Sequence, residues 1–98
     1  MTSKQRAYLK GLAMNIDPAI NIGKDGFTPA ITEAVIEAIE KNELIKLGVL
    51  KNCMDDPRET AAMLAERVHA EVVQVIGKKI VLYKQAKKEE NRKIVLPK

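Results

Sequence analysis

Ala19-Ile20-Asn21-Ile22-Gly23-Lys24-Asp25-Gly26-Phe27-Thr28-Pro29 is the stretch on which the reading of this 98-residue chain turns. Its first four residues predict a short apolar strand, Ala19–Ile22, with Ile20 and Ile22 on one side. Thr28 is a good N-cap and Pro29 suits the first helical position, so a helix is expected from Pro29 to about Lys41. Between strand and helix lies Gly-x-x-Gly, Gly23 to Gly26. Neither glycine carries a Cβ, so the backbone there can come close to a ligand. The N–H groups and dipole of the helix start favour an anion at that point, and Lys24 adds a mobile cation. The ligand this arrangement suits is a phosphate, which for a small basic protein means a nucleic-acid backbone.

Working outward, Thr2 and Gln5 have the spacing of a capping box, which predicts a helix from Ser3 to about Met14 with Leu9, Leu12 and Ala13 on its buried face. The helix after Pro29 carries Ile31, Val35, Ala38 and Ile39 inward and Glu33, Glu37 and Glu40 outward. A second strand is expected over Leu44–Leu50, where Ile45, Leu47 and Val49 alternate with Lys46 and Gly48; a glycine there marks close approach of another backbone. Asp56, Pro57 and Glu59 announce a third helix with a capping box, buried through Ala61, Leu64, Ala65 and Val68. Val72–Ile76 and Lys79–Tyr83 read as strands joined by a two-residue hairpin, Gly77-Lys78. The order α-β-α-β-α-β-β implies an α/β domain with a mixed four-stranded sheet packed by helices. Residues 1–85 form that single domain. Residues 86–98 form a charged tail whose apolar end, Ile94 to Pro97, is able either to dock on the body or to add an edge strand.

Net charge is +4, but the distribution says more. Lys4, Arg6, Lys10 and Lys24 face only Asp17 in the first 24 residues, and the segment after Gly77 is more basic still, with eight cations against Glu89 and Glu90. The middle of the chain is acidic. A fold that brings both ends to the glycine loop makes a basic face, which is the electrostatic footprint of a nucleic-acid binder. No apolar run approaches the ~20 residues of a membrane helix, and the polar start lacks a secretory pattern, so a cytoplasmic location is expected. One cysteine, Cys53, allows no internal disulfide and reads as a small apolar residue. With a single histidine, His69, it builds no metal site of usual composition, and no cofactor is expected. No paired acids or activated nucleophile stand out, and the loop lacks the Gly-Lys-[Ser/Thr] ending of a P-loop, so the chain is not read as an enzyme.

Leu-Lys-Gly-Leu-Ala near the start, Ile-Asn-Ile-Gly-Lys-Asp-Gly, Glu-Leu-Ile-Lys-Leu, and Val-Val-Gln-Val-Ile-Gly-Lys-Lys-Ile-Val-Leu-Tyr-Lys follow one another in the order of a known family. Over residues 1–85 the chain resembles the CRM (chloroplast RNA splicing and ribosome maturation) domain, in its stand-alone bacterial YhbY-like form. The resemblance implies an RNA-binding α/β domain similar in fold to the C-terminal domain of translation initiation factor three. It also implies association with ribosomal RNA of the precursor large subunit, the pre-50S particle. The family's loop maps onto Gly23, Lys24, Asp25 and Gly26. Asp25 departs from the neutral or basic residue common there; a carboxylate beside a phosphate is repulsive, so Asp25 is expected to turn away.

On this reading Lys24 neutralises a phosphate while Lys4, Arg6, Lys10, Lys78, Lys79, Lys84, Lys87 and Lys88 extend the surface. Such contacts position RNA without reading bases. Tyr8, Phe27 and Tyr83 are too few for a broad stacking platform, which favours folded RNA recognised by shape and charge. Phe27 is expected to staple the helix that follows it, and Tyr83 to be half-buried. The chain is expected to act as a monomer. The alternative is a protein-interaction module, with the acidic helix face meeting a basic ribosomal protein and RNA contact incidental.

Overall fold

The computed structural model describes residues 1–97; Lys98, the last residue of the expected tail, lies outside them. Three helices, α1 (Ser3–Ala13), α2 (Pro29–Asn42) and α3 (Pro57–Val68), alternate with strands β1 (Ile20–Ile22), β2 (Leu44–Val49), β3 (Glu71–Ile76) and β4 (Lys79–Tyr83). A 3-10 turn, Glu89–Asn91, interrupts the tail. This is the α/β class expected, with a mixed sheet ordered β1-β2-β4-β3. Among the described residues only β1 and β2 pair in parallel. The hairpin strand β4 inserts between β2 and β3 and runs antiparallel to both.

Helix starts form where the sequence marks them. Thr2 accepts from Gln5 N while the Gln5 side chain accepts from Thr2 N, closing the box. Thr28 Oγ1 accepts from Ile31 N at 3.2 Å. Asp56 caps α3 by accepting from Arg58 N, one residue short of Glu59, so the expected box does not close there.

Alternation along the strands gives the sheet two apolar faces. Ile22, Ile45, Leu47, Val49, Ile80 and Leu82 meet Val35 and Ile39 of α2 and the buried face of α3. Cys53 belongs to this core. On the other face Leu44, Val73, Val81 and Tyr83 meet Leu9 and Ala13 of α1, and Ile94 and Leu96 of the tail pack against them.

Three features were not foreseen. A register shift between Val72 and Gln74 bulges β3, and the Arg6 guanidinium donates to the Val72 and Val73 carbonyls there. Gly48 is approached by side chains, not by a backbone: a Cβ on it would stand 2.7 Å from Asn21 Oδ1 and 3.3 Å from Lys79 Nζ. Glu43, just past the end of α2, is fully buried with a positive φ of 64°. Its carboxylate accepts from Ala86 N at 2.9 Å, Lys93 N at 2.6 Å and Ile94 N at 2.9 Å. One side chain thus satisfies three tail amides. Glu40, one turn earlier, accepts from Lys87 N and Lys88 N. Gln5 donates to Pro97 O from α1.

Candidate nucleic-acid interface

The sheet register gathers three connections at one end. Ile22, the last residue of β1, pairs with Val49, the last of β2. Gly48 pairs with Lys79, the first of β4, which pairs with Ile76, the last of β3. The glycine loop, the β2–α3 loop and the Gly77-Lys78 turn therefore share this end. Hydrogen bonds tie them: Leu50 N donates to Ile22 O at 2.8 Å and Val49 N to Lys78 O at 2.7 Å.

The glycine loop is a tight turn closed by Gly26 N donating to Gly23 O at 2.9 Å. Lys24 and Asp25 are exposed at its tip, Gly23 is half-buried and Gly26 is buried. Gly26 has φ +62°, a conformation glycine adopts without strain. A Cβ there would stand 2.2 Å from Asp55 Oδ2, because Asp55, from the β2–α3 loop, lies over it. The same oxygen accepts from Phe27 N at 3.3 Å. The anion at the start of α2 is thus the protein's own carboxylate, and the close approach expected of a ligand at Gly26 is made by Asp55. Sequence reading missed Asp55 because it stands 29 residues from Gly26 and pairs through the fold. At Gly23 a Cβ would meet Leu50 Cδ1 at 3.5 Å and Asn52 Oδ1 at 3.7 Å, ordinary contacts.

Of the cations singled out, Lys24, Lys78 and Lys79 stand exposed at the loop end. Lys51, which the sequence reading did not select, is exposed in the β2–α3 loop beside them, and Lys46 is half-buried on β2. Lys84, Lys87 and Lys88 stand at the far end of the sheet, which corrects the expectation that both chain ends converge on the loop. Leu44, Tyr83 and Glu71 pair at the opposite end of the sheet, about 13 Å away over four residues of β4. Lys84 follows directly and donates from Nζ to Val68 O, the C-terminal end of α3. Lys87 and Lys88 are held there through Glu40. Arg6 serves the β3 bulge. Lys4 and Lys10 ride on α1, on the sheet face opposite α2 and α3. The physical reason is topological: β4 runs away from the loop end, so the chain after Tyr83 starts at the far end and is tied down by Glu43.

At that far end, burial raises the Glu43 carboxyl, but bonds from the Ala86, Ile94 and Lys93 amides and the charge of Arg92 outweigh it and hold the group below its ordinary value. Glu40 is lowered chiefly by the Lys87 and Lys88 amides. Tyr83 is pushed up by burial and by the nearby Glu43 charge. Among the aromatics, Tyr83 is buried more deeply than expected and Tyr8 is exposed. Phe27 is half-buried against the core, with the Arg67 guanidinium 5.5 Å from its ring centre. Among the described residues no helix is long and apolar enough to cross a membrane.

The sequence model of the CRS1/YhbY (CRM) domain matches residues 1–84. The chain belongs to this family. The CRM chain is 39% identical over 97 residues to a Bacillus subtilis protein named "Probable RNA-binding protein YqeI", covering 99% of each. It is 31% identical to a Haemophilus influenzae protein named "RNA-binding protein", covering 99% of this chain and 95% of that one. The fold of this CRM domain is also that of Staphylococcus aureus SAV1595, solved in solution: the TM-score is 0.80 at 42% identity, with 99% of each chain covered.

Proposed function

We propose that this CRM domain binds RNA through the loop end of its sheet and serves assembly of the large ribosomal subunit, on pre-50S ribosomal RNA. The observation that carries the reading is that Lys24, Lys51, Lys78 and Lys79 stand exposed there around the turn, outnumbering Asp25, Asp55 and Asp56 of the same loops. The relatives' names supply RNA as the polyanion, and the resemblance to ribosome-maturation domains supplies the large subunit. Phosphates are neutralised by the lysines, while the RNA backbone lies against Gly23 and Lys24. Asp55 keeps phosphate away from Gly26 and confines contact to the first half of the loop. The interface is electrostatic, with RNA oriented by its phosphates.

Crosslinking in cells followed by sequencing of the attached RNA tests the target. Enrichment of large-subunit ribosomal RNA is expected; random messenger fragments would overturn the assignment. In solution, four phosphates neutralised on a single strand give a log–log salt slope of about −2.8, and a slope near zero would remove the mechanism.

A further inference from the structure

On the α1 side of the sheet the helix stops short of the loop end. Two rows of side chains lie beyond its last turn. Strand register sets Asn21, Gly48, Lys79 and Ile76 in one row, and Lys46, Val81 and Gln74 in the next. Ala13 and Met14, at the end of α1, wall the space on one side. The result is a cleft of about 210 Å³ lined by Met14, Lys46, Gln74, Ile76, Lys79 and Val81. That is below the ~300–1,000 Å³ typical of pockets for drug-sized ligands.

Its chemistry is specific in three ways. Both ionisable residues lining it, Lys46 and Lys79, are cations; no acid lines it. Met14 and Ile76 present apolar surface that the fold leaves uncovered, at 81% and 59% exposure. Gln74 in the lining and Asn21 beside Gly48 offer amides, each both donor and acceptor. A planar, polar-edged group attached to a polyanion meets all three conditions: an apolar face for Met14 and Ile76, hydrogen-bonding edges for the amides, and an adjoining phosphate for the lysines. Lys79 belongs equally to the cleft and to the basic loop end, so a strand whose phosphates reach Lys78 passes the mouth of the cleft.

Building on the RNA-binding reading, we infer that this cleft is a subsite for one unstacked nucleobase of a single-stranded RNA segment. Duplex RNA keeps its bases stacked and presents none to a cleft of this size. The loop end would then hold any RNA by charge, while the cleft favours RNA with an unpaired nucleotide.

The test uses the whole chain with two labelled RNAs of one sequence, single-stranded and annealed to its complement. Met14→Ala combined with Gln74→Ala removes wall and amide without removing charge. Single-strand affinity is expected to fall about three- to tenfold, with duplex affinity and both salt slopes unchanged. A second measurement needs no variant: single-stranded RNA carrying 4-thiouridine, photocrosslinked to the wild-type protein, is expected to label the peptides holding Met14 or Ile76. Equal single-strand affinity of variant and wild type, equal losses on both RNAs, or crosslinks confined to other peptides would overturn the subsite while leaving RNA binding intact. Failure of the wild-type protein to bind either RNA would overturn the RNA-binding reading itself, and the subsite with it.

Discussion

Asp55 Oδ2 occupies the space that a side chain on Gly26 would need, 2.2 Å from an ideal Cβ. The second glycine of the loop is favoured first by its left-handed backbone, and the exposed Asp55 carboxylate would have to swing aside for a side chain to fit. Gly26→Ala forces a left-handed alanine, which costs about 1–2 kcal/mol, and drives its methyl into the carboxylate. Thermal melts should show the loss, and adding Asp55→Ala should return part of it, the non-additivity expected of residues in contact. Strict additivity of the two changes would contradict the packing.

Gly23 behaves differently, because its Cβ position meets only ordinary contacts. On the proposed interface, Gly23→Ala should melt within about 0.5 kcal/mol of wild type and yet weaken RNA binding by adding a methyl at the loop. Wild-type affinity in this variant would rule out backbone contact at the loop.

On the proposed reading, Asp55 also competes with phosphate for the start of α2. Asp55→Asn keeps the shape and removes the charge, so RNA affinity at low salt should rise several-fold, an effect fading as salt screens it. Unchanged affinity at 50 mM salt would place RNA away from this helix end.

Charge at the two ends of the sheet should separate in titrations. Lys24→Ala with Lys78→Ala and Lys79→Ala should flatten the salt slope by about 2 for single-stranded RNA. Lys84→Ala with Lys87→Ala and Lys88→Ala should alter it far less. Equal effects would mean that RNA wraps both ends.

Glu43 governs a different property. Its folded carboxyl titrates below the ordinary value of 4.5, so its stabilisation is complete above that value and is lost as pH falls through the depressed one. Glu43→Ala strips three amides of their acceptor and should cost about 2–3 kcal/mol at pH 7. In urea melts the gap between wild type and variant should close on acidification below pH 4.5. A gap that stays constant with pH would show that the carboxylate charge is not what holds the tail.

What could be read from the sequence is what neighbouring residues decide. Thr2–Gln5, Thr28-Pro29 and Asp56-Pro57 place three helix starts, and alternation at Ile45, Leu47 and Val49 assigns a strand to a face. These signals act over a few residues, so they survive without knowledge of the fold. The order β1-β2-β4-β3 and the seat of Asp55 depend on residues far apart in the chain. Glu43 is the clearest case: on the page it is one more acid at a helix end, and only the returning tail makes it a buried hub. Counting lysines near the termini failed for the same reason, because direction along β4 decides which end of the sheet they reach.

The sheet keeps the glycine turn and the Glu43-anchored segment a strand's length apart, on separate sets of hydrogen bonds. A fluorophore or surface tether placed at exposed Lys87 or Lys93 would report on or immobilise the molecule while leaving its opposite pole open to ligand. The architecture thus separates the end where the tail is anchored from the end where the glycine turn is exposed.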